Sequence, residues 1–199
     1  MIVGVLQKCR APFLFYTFER NFFMLNLFKR KEDAIKVIDK IWMSEKAKWD
    51  GILELWRKDP NIIFIAWFAE TSNLLASLFE KETTSVPVLM TREVHSSQLA
   101  GKKILFCEHH PLRRKEQDIF KEWHLTEAIV HSALDEPLFL HFGGEKIVDM
   151  MKQLGMQEDT MIEHKMISNA IENAQEKIEK KVEIEQLANS QKEWLQKNL

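Results

Sequence analysis

The feature that most constrains this chain is an alternation, from about residue 34 onward, of short apolar runs with longer stretches of helical period. Asn61 to Phe68 (NIIFIAWF) is continuously apolar and rich in β-branched and aromatic residues, which reads as a strand buried on both faces. Lys102 to Cys107 (KKILFC), Val86 to Met90, and Glu127 to His131 (EAIVH) are further strand candidates, and Ala34 to Met43 alternates loosely. Between them, Ser44 precedes a helical pattern of Ala47, Trp49, Ile52, Leu53 and Trp56 that Asp59-Pro60 breaks. Thr71 or Ser72 is placed to cap a helix through Leu74, Leu75, Leu78 and Phe79, and Pro111 opens a charged helix to about Trp123. Strands alternating with helices predict an α/β fold with a parallel sheet.

Past Asp135 the strand pattern stops. A short helix around Leu138 to Phe142 is expected to end at Gly143-Gly144, and a second, Glu145 to Leu154, to end at Gly155. Thr160-Met161-Ile162-Glu163 has the spacing of a capping box. It predicts one long final helix, striped by Ile167, Ala170, Ile171, Ala174 and Ile178. A charged rod with a narrow apolar seam wants a partner surface.

Composition excludes some functions. With 28 Lys+Arg against 30 Asp+Glu, the chain lacks the basic excess a nucleic-acid binder concentrates. Two cysteines, Cys9 and Cys107, cannot build a disulfide framework and fit a reducing compartment. The apolar run Ala11–Phe18 is bounded by Lys8 and Arg10 before it and by Glu19 and Arg20 after it, so it suits neither a spanning helix nor a secretory leader. Residues 1–23 are set apart as an extension outside the fold, with Met24 as an alternative start. Phe22, Phe23, Leu25, Leu27 and Phe28 beside Lys29, Arg30 and Lys31 would suit a membrane surface.

Candidate chemistry is sparse. Cys107-Glu108-His109-His110, with His124 and His131, has the residue types of a zinc site. Adjacent histidines on an extended segment point opposite ways, however, and no second paired motif completes four ligands. No metal is expected. Cys107 inside an apolar strand reads as packing rather than as a nucleophile. Gly101-Lys102-Lys103 lacks the glycine-rich approach and the Ser or Thr of a phosphate loop. Asp135-Glu136 leads into Pro137 rather than following a strand as a magnesium site would, and reads as an acidic helix start. Arg113 and Arg114 are the nucleotide-contact candidates, set against a solvated basic face.

Phe142 to Val182 (FGGEKIVDMMKQLGMQEDTMIEHKMISNAIENAQEKIEKKV) resembles SecA, the motor ATPase of bacterial preprotein translocation. The resemblance is carried by Phe142-Gly143, Leu154-Gly155, Ile162-Glu163-His164-Lys165-Met166, and Ala170-Ile171-Glu172 with Ala174-Gln175. Upstream, Ala133 to Glu136 resembles the acidic segment after that family's last strand. Glu108-His109-His110-Pro111-Leu112-Arg113-Arg114 resembles its E-R-H-E-S-R-R motif. The resemblance implies a RecA-like domain over residues 24–142, of P-loop NTPase type, and a helical scaffold-like extension over 143–199.

It also implies what is missing. The first RecA-like domain with its Walker motifs has no counterpart here, and EQDIFKEWHLTEAI (residues 116–129) replaces the family's arginine-finger segment. After Val182 the chain leaves the family. Hydrolysis in such motors needs one half to hold phosphate and magnesium and another to reach across with arginine. The expectation is therefore a non-catalytic interaction module linked to protein translocation, without a cofactor. Its partner, met through the C-terminal helix, would be a second copy, SecA or a translocon component. The expected location is the cytoplasm, with peripheral contact at the inner membrane. The alternatives are a subunit completing an ATP site with another chain, and a membrane-surface adaptor.

Overall fold

The computed structural model describes residues 34–82, 87–153 and 155–199. The aromatic and basic cluster from Phe22 to Lys31, and Leu154, lie outside them.

Five strands form one sheet in the order β1-β5-β4-β2-β3, and every strand pairing in it is parallel. The strands are β1 (Lys36–Trp42), β2 (Ile62–Ala66), β3 (Val88–Met90), β4 (Lys103–Phe106) and β5 (Glu127–Ala133). Between them lie helices α1 (Glu45–Lys58), α2 (Ala69–Phe79), α3 (Ser96–Leu99) and α4 (Arg113–Glu122). After β5 come α5 (Pro137–His141), α6 (Gly144–Gln153), α7 (Lys165–Glu179) and α8 (Gln191–Asn198). The alternation of apolar runs thus yields the expected α/β parallel architecture of RecA-like type, with helices after it.

Period-two alternation sends the apolar run of β2 to both faces. Ile62 and Phe64 pack with Ile52 of α1 and with Leu75 and Phe79 of α2. Ile65 joins Phe106, Phe120 of α4 and Val130 on the other side. Each such side chain, fully buried, contributes about 2 kcal/mol relative to exposure. A third cluster sets Ile41 and Leu134 against Phe139 and Ile171, so the edge strand β1 is covered by the tail helices.

Three local expectations are corrected. α2 begins at Ala69, ahead of Thr71 and Ser72, and has no side-chain cap from its own N-cap residue. The Thr160–Glu163 capping box does not form. His164 is the N-cap of α7, its Nδ1 accepting from Met166 N–H at 3.2 Å, while Ile162 is drawn into an antiparallel bridge with Ile41 through backbone bonds of 2.9 and 2.7 Å. Pairing at the open edge of β1 wins over local capping, because it satisfies backbone groups that the edge leaves free. Finally, the single terminal rod is two helices: α7 stops at Glu179, and α8 follows a separate N-cap at Ser190.

Gly51 of α1 lies directly against the Trp42 indole, and a Cβ at that position would overlap the six-membered ring. Trp42 is itself buried and hydrogen-bonded, so it cannot swing clear. Gly51→Ala is expected to lower stability by about 1–3 kcal/mol through overpacking. Urea unfolding followed by tryptophan fluorescence checks it.

Candidate functional site

The segment after β4 leaves the sheet as Cys107-Glu108-His109-His110 and is buried along its whole length. Cys107 is fully enclosed, and burial pushes its thiol far upward, which fits inert packing. Glu108 turns back to the N-terminus of α2. Its carboxylate accepts from the N–H groups of Trp67 (3.0 Å) and Phe68 (3.1 Å) and from the Thr71 hydroxyl (2.7 Å). The cap that α2 lacks locally therefore comes from a distant carboxylate. Burial outweighs these bonds and raises the Glu108 carboxyl to about 7.

His109 and His110 point opposite ways, as alternation requires. His109 lies between two buried carboxylates, with Nε2 3.0 Å from Asp39 and Nδ1 2.9 Å from Glu116. Burial opposes its charge, but Glu116 and Asp39 outweigh burial and push the imidazole up to about 10, so both nitrogens donate. His110 enters an aromatic box, stacked on Phe68 and edge-on to Trp67 and Trp194. Its Nδ1 accepts from Leu112 N–H at 3.0 Å, and its Nε2 faces Glu185 at 3.3 Å.

The tail helices grip this turn. Gln175 of α7 donates to the His110 carbonyl (2.8 Å) and to Glu116 (2.9 Å). Arg113 pairs with Glu172 at 2.9 Å and approaches Glu176 at 4.0 Å. Arg114 N–H donates to Glu179 at 2.6 Å, and the side chain is exposed. The two arginine candidates thus face α7 with backbone or side chain.

Of the other resemblance residues, some belong to this joint and some lie away from it. Ile171, Ala174 and Gln175 are buried, Glu163 pairs with Lys40, and Gly143 takes a positive φ of 86° after α5. Lys165, Met166, Ala170 and Phe142 are exposed. Met166, Ala170 and Phe142 border an apolar cleft of about 500 Å³ between α5, α6 and α7.

A second buried pair supports the joint from below. Lys48 of α1, 1% exposed, donates to the Cys107 carbonyl at 2.9 Å and pairs with Glu136. Glu136 also accepts from Ala133 N–H at 3.0 Å. Sequence reasoning missed Lys48, although it precedes the buried Ile52 by one helical turn and so sits on the apolar stripe of α1. A cation at such a position signals a buried partner. Asp39, Glu116 and Gln191 were missed too, having only strand or helix phase to mark them.

His131 is held neutral, since burial pushes it down to about 3, and its Nδ1 accepts from Trp42 Nε1–H at 3.2 Å. His124 is exposed at the end of α4 with a φ of 53°. Among the described residues, no group of three His, Cys, Asp or Glu is arranged to hold a metal ion. None of their helices is long and apolar enough to cross a membrane.

This geometry orders a joint, with its ionisable groups turned inward on one another. Lys48→Met would strand Glu136, and an expected loss of about 3–5 kcal/mol is read from chemical denaturation. Adding Glu136→Gln should recover part of it.

The pH response has a definite sign. His109 gains protons on folding, so its contribution is complete below its ordinary value of 6.5 and is lost as pH rises through about 10. Stability should fall across that window with a slope of at most about 1.4 kcal/mol per pH unit. His109→Gln should flatten that limb, as measured by urea unfolding at successive pH values.

Comparison with known proteins follows the resemblance. The chain is 38% identical over 86 residues to the protein translocase subunit SecA of Clostridium beijerinckii, a match covering 41% of this chain and 10% of that protein. It is 36% identical over 87 residues to SecA of Syntrophus aciditrophicus, covering 42% and 10%. With SecA of Bacteroides fragilis it shares 29% identity over 130 residues, covering 63% and 11%. No family model matches the chain. It is a SecA-like segment, and its matches span about a tenth of the length of these relatives.

Proposed function

We propose that this SecA-like segment is a non-catalytic module of protein translocation, working through protein contacts rather than nucleotide turnover. One observation carries the reading. Arg113, which the resemblance marks as a nucleotide-contact candidate, directs its guanidinium to Glu172 and Glu176 of α7. An arginine offered to phosphate must keep its fork of donors free. Here the fork fastens α7 to α4.

The neighbouring groups support the same reading. Glu108, at the N-terminus of α2, already occupies the kind of amide cluster that would receive an anion. His109 and Gln175 are spent on internal bonds. The module would act in the cytoplasm or at the inner-membrane surface, on a component of the translocation machinery or on SecA itself. Contact would be made through the C-terminal helices, where Met166 is 73% exposed.

The competing reading, a subunit that completes an ATP site with another chain, rests on the exposed side chain of Arg114. Calorimetric titration with magnesium-ATP at millimolar concentration separates the two. The expected result is no heat of binding and no turnover. Recovery of translocon subunits or SecA by the tagged chain from its native cell is the matching expectation. Saturable binding of ATP abolished by Arg114→Ala would transfer the case to the alternative.

A further inference from the structure

Residues 183–199 lie past the stretch that carries the SecA resemblance, and they close on themselves. Asn198 Oδ1 accepts from Gln186 N–H at 2.7 Å, and its Nδ2 donates to the Gln186 carbonyl at 3.0 Å. Ser190 Oγ caps α8 by accepting from Glu193 N–H at 3.1 Å, and the Glu193 carboxylate accepts from Asn189 N–H at 2.6 Å. The stretch that joins it to α7 exposes Lys180, Lys181, Glu183 and Ile184 and buries Val182 among them.

Its underside is anchored by the Asn189 carbonyl, which accepts from Glu70 N–H of α2 at 3.0 Å, and by a two-point contact of the Gln191 amide. The Gln191 side chain accepts from Leu138 N–H at 2.7 Å and donates to the His109 carbonyl at 3.0 Å, all buried. Leu138 lies in the first turn of α5, so its N–H has no intrahelical partner. The seat therefore presents one orphan donor and one orphan acceptor at the spacing of a carboxamide. One turn on, Trp194 inserts, 1% exposed, against His110, Phe68 and Leu112. Its indole N–H donates to Glu185 at 2.7 Å, which faces His110 and pairs with Lys115.

The position in the fold is that of a binding site. From β2 the chain passes outward to β3, whereas from β4 it passes the other way to β5. Between two such strands an open α/β sheet has the crevice in which ligands settle. Here Trp67-Phe68 and His109-His110 form its walls, and the terminal unit fills part of it. Beside Trp194 a cleft of about 600 Å³ stays open, with the buried Trp67 indole N–H unbonded at its wall.

We propose that residues 183–199 are a detachable latch occupying, in cis, a peptide-docking seat that reads a Gln-x-x-Trp helical turn, and that the same segment of a second copy can take that seat in trans. This goes beyond the translocation reading and stands whichever pathway the chain serves. The outer face of the latch exposes Ile184 (86%) and Leu187 (80%), which gives a displacing partner an apolar grip. A tethered latch competes at an effective concentration of roughly millimolar, so the seat stays closed to dilute peptide until the latch is weakened.

A fluorescein-labelled peptide of residues 183–199 tests this by anisotropy against two full-length proteins, the natural chain and Gln191→Leu/Trp194→Ala. The expected result is at least ten-fold tighter binding to the double variant, lost when the peptide carries the same two changes. Equal affinity for both proteins, or no binding to a folded double variant, overturns the proposal. So does loss of cooperative unfolding in the double variant, which would make the segment a fixed part of the core. Hydrogen exchange of the natural chain gives a second reading. Residues 183–199 should open as one unit well before α7 and β4, and protection equal to theirs would refute detachment.

Discussion

Two buried histidines, side by side and facing opposite ways, hold this molecule together. His109 is fixed between Asp39 of the edge strand and Glu116 of α4, while His110 fills an aromatic box closed by Trp194 of the last helix. Their carbonyls receive the side-chain amides of Gln191 and Gln175. One turn of backbone therefore gathers β1, α4, α7 and α8. A protonated imidazole between two carboxylates is tolerable in a dry interior only because both nitrogens are satisfied, so each member of the group depends on the others.

Below that turn the same logic recurs. Lys48 and Glu136 are both enclosed, and the lysine also holds the Cys107 carbonyl at the end of β4. Such a pair adds little stability compared with apolar packing, yet it is unforgiving of the loss of either partner. Its structural effect is to join α1, β4 and the start of α5. Glu108 extends the pattern to α2. Helices on a parallel sheet are usually held by apolar faces alone. Here α1, α2, α4, α5, α7 and α8 are additionally pinned by polar contacts at the carboxyl ends of the strands.

How much of this was legible differs by layer. The strands of β2 and β4 were readable because NIIFIAWF and KKILFC have the apolar continuity that burial on two faces demands. The capping box at Thr160 failed because capping is a local signal, and the free edge of β1 offered Ile162 two backbone bonds that a cap cannot match. Thr71 was identified as a helix-start residue for a sound reason, but its hydroxyl serves a carboxylate from 37 positions away. The joint was the least visible part. The resemblance marked Glu108, His110, Glu172 and Gln175, yet nothing in periodicity indicates that Asp39, Lys48 and Gln191 converge on the same turn. Those partners lie 70, 59 and 82 positions from theirs, and only the sheet order brings them together.

The resemblance and the geometry meet in an instructive way. In a motor of this type, basic and polar groups at the strand ends must remain available to a ligand that comes and goes. In this chain the groups at the corresponding motif are engaged by its own helices: Arg113 by α7, Glu108 by α2, His110 by the terminal latch. Each bond that secures a helix removes a donor or acceptor from exchange with a partner. The crevice at the strand ends is therefore open only to what can displace a segment of the same chain, one held there by the Gln191 amide, the Trp194 indole, the Glu185 carboxylate and the Asn189 carbonyl.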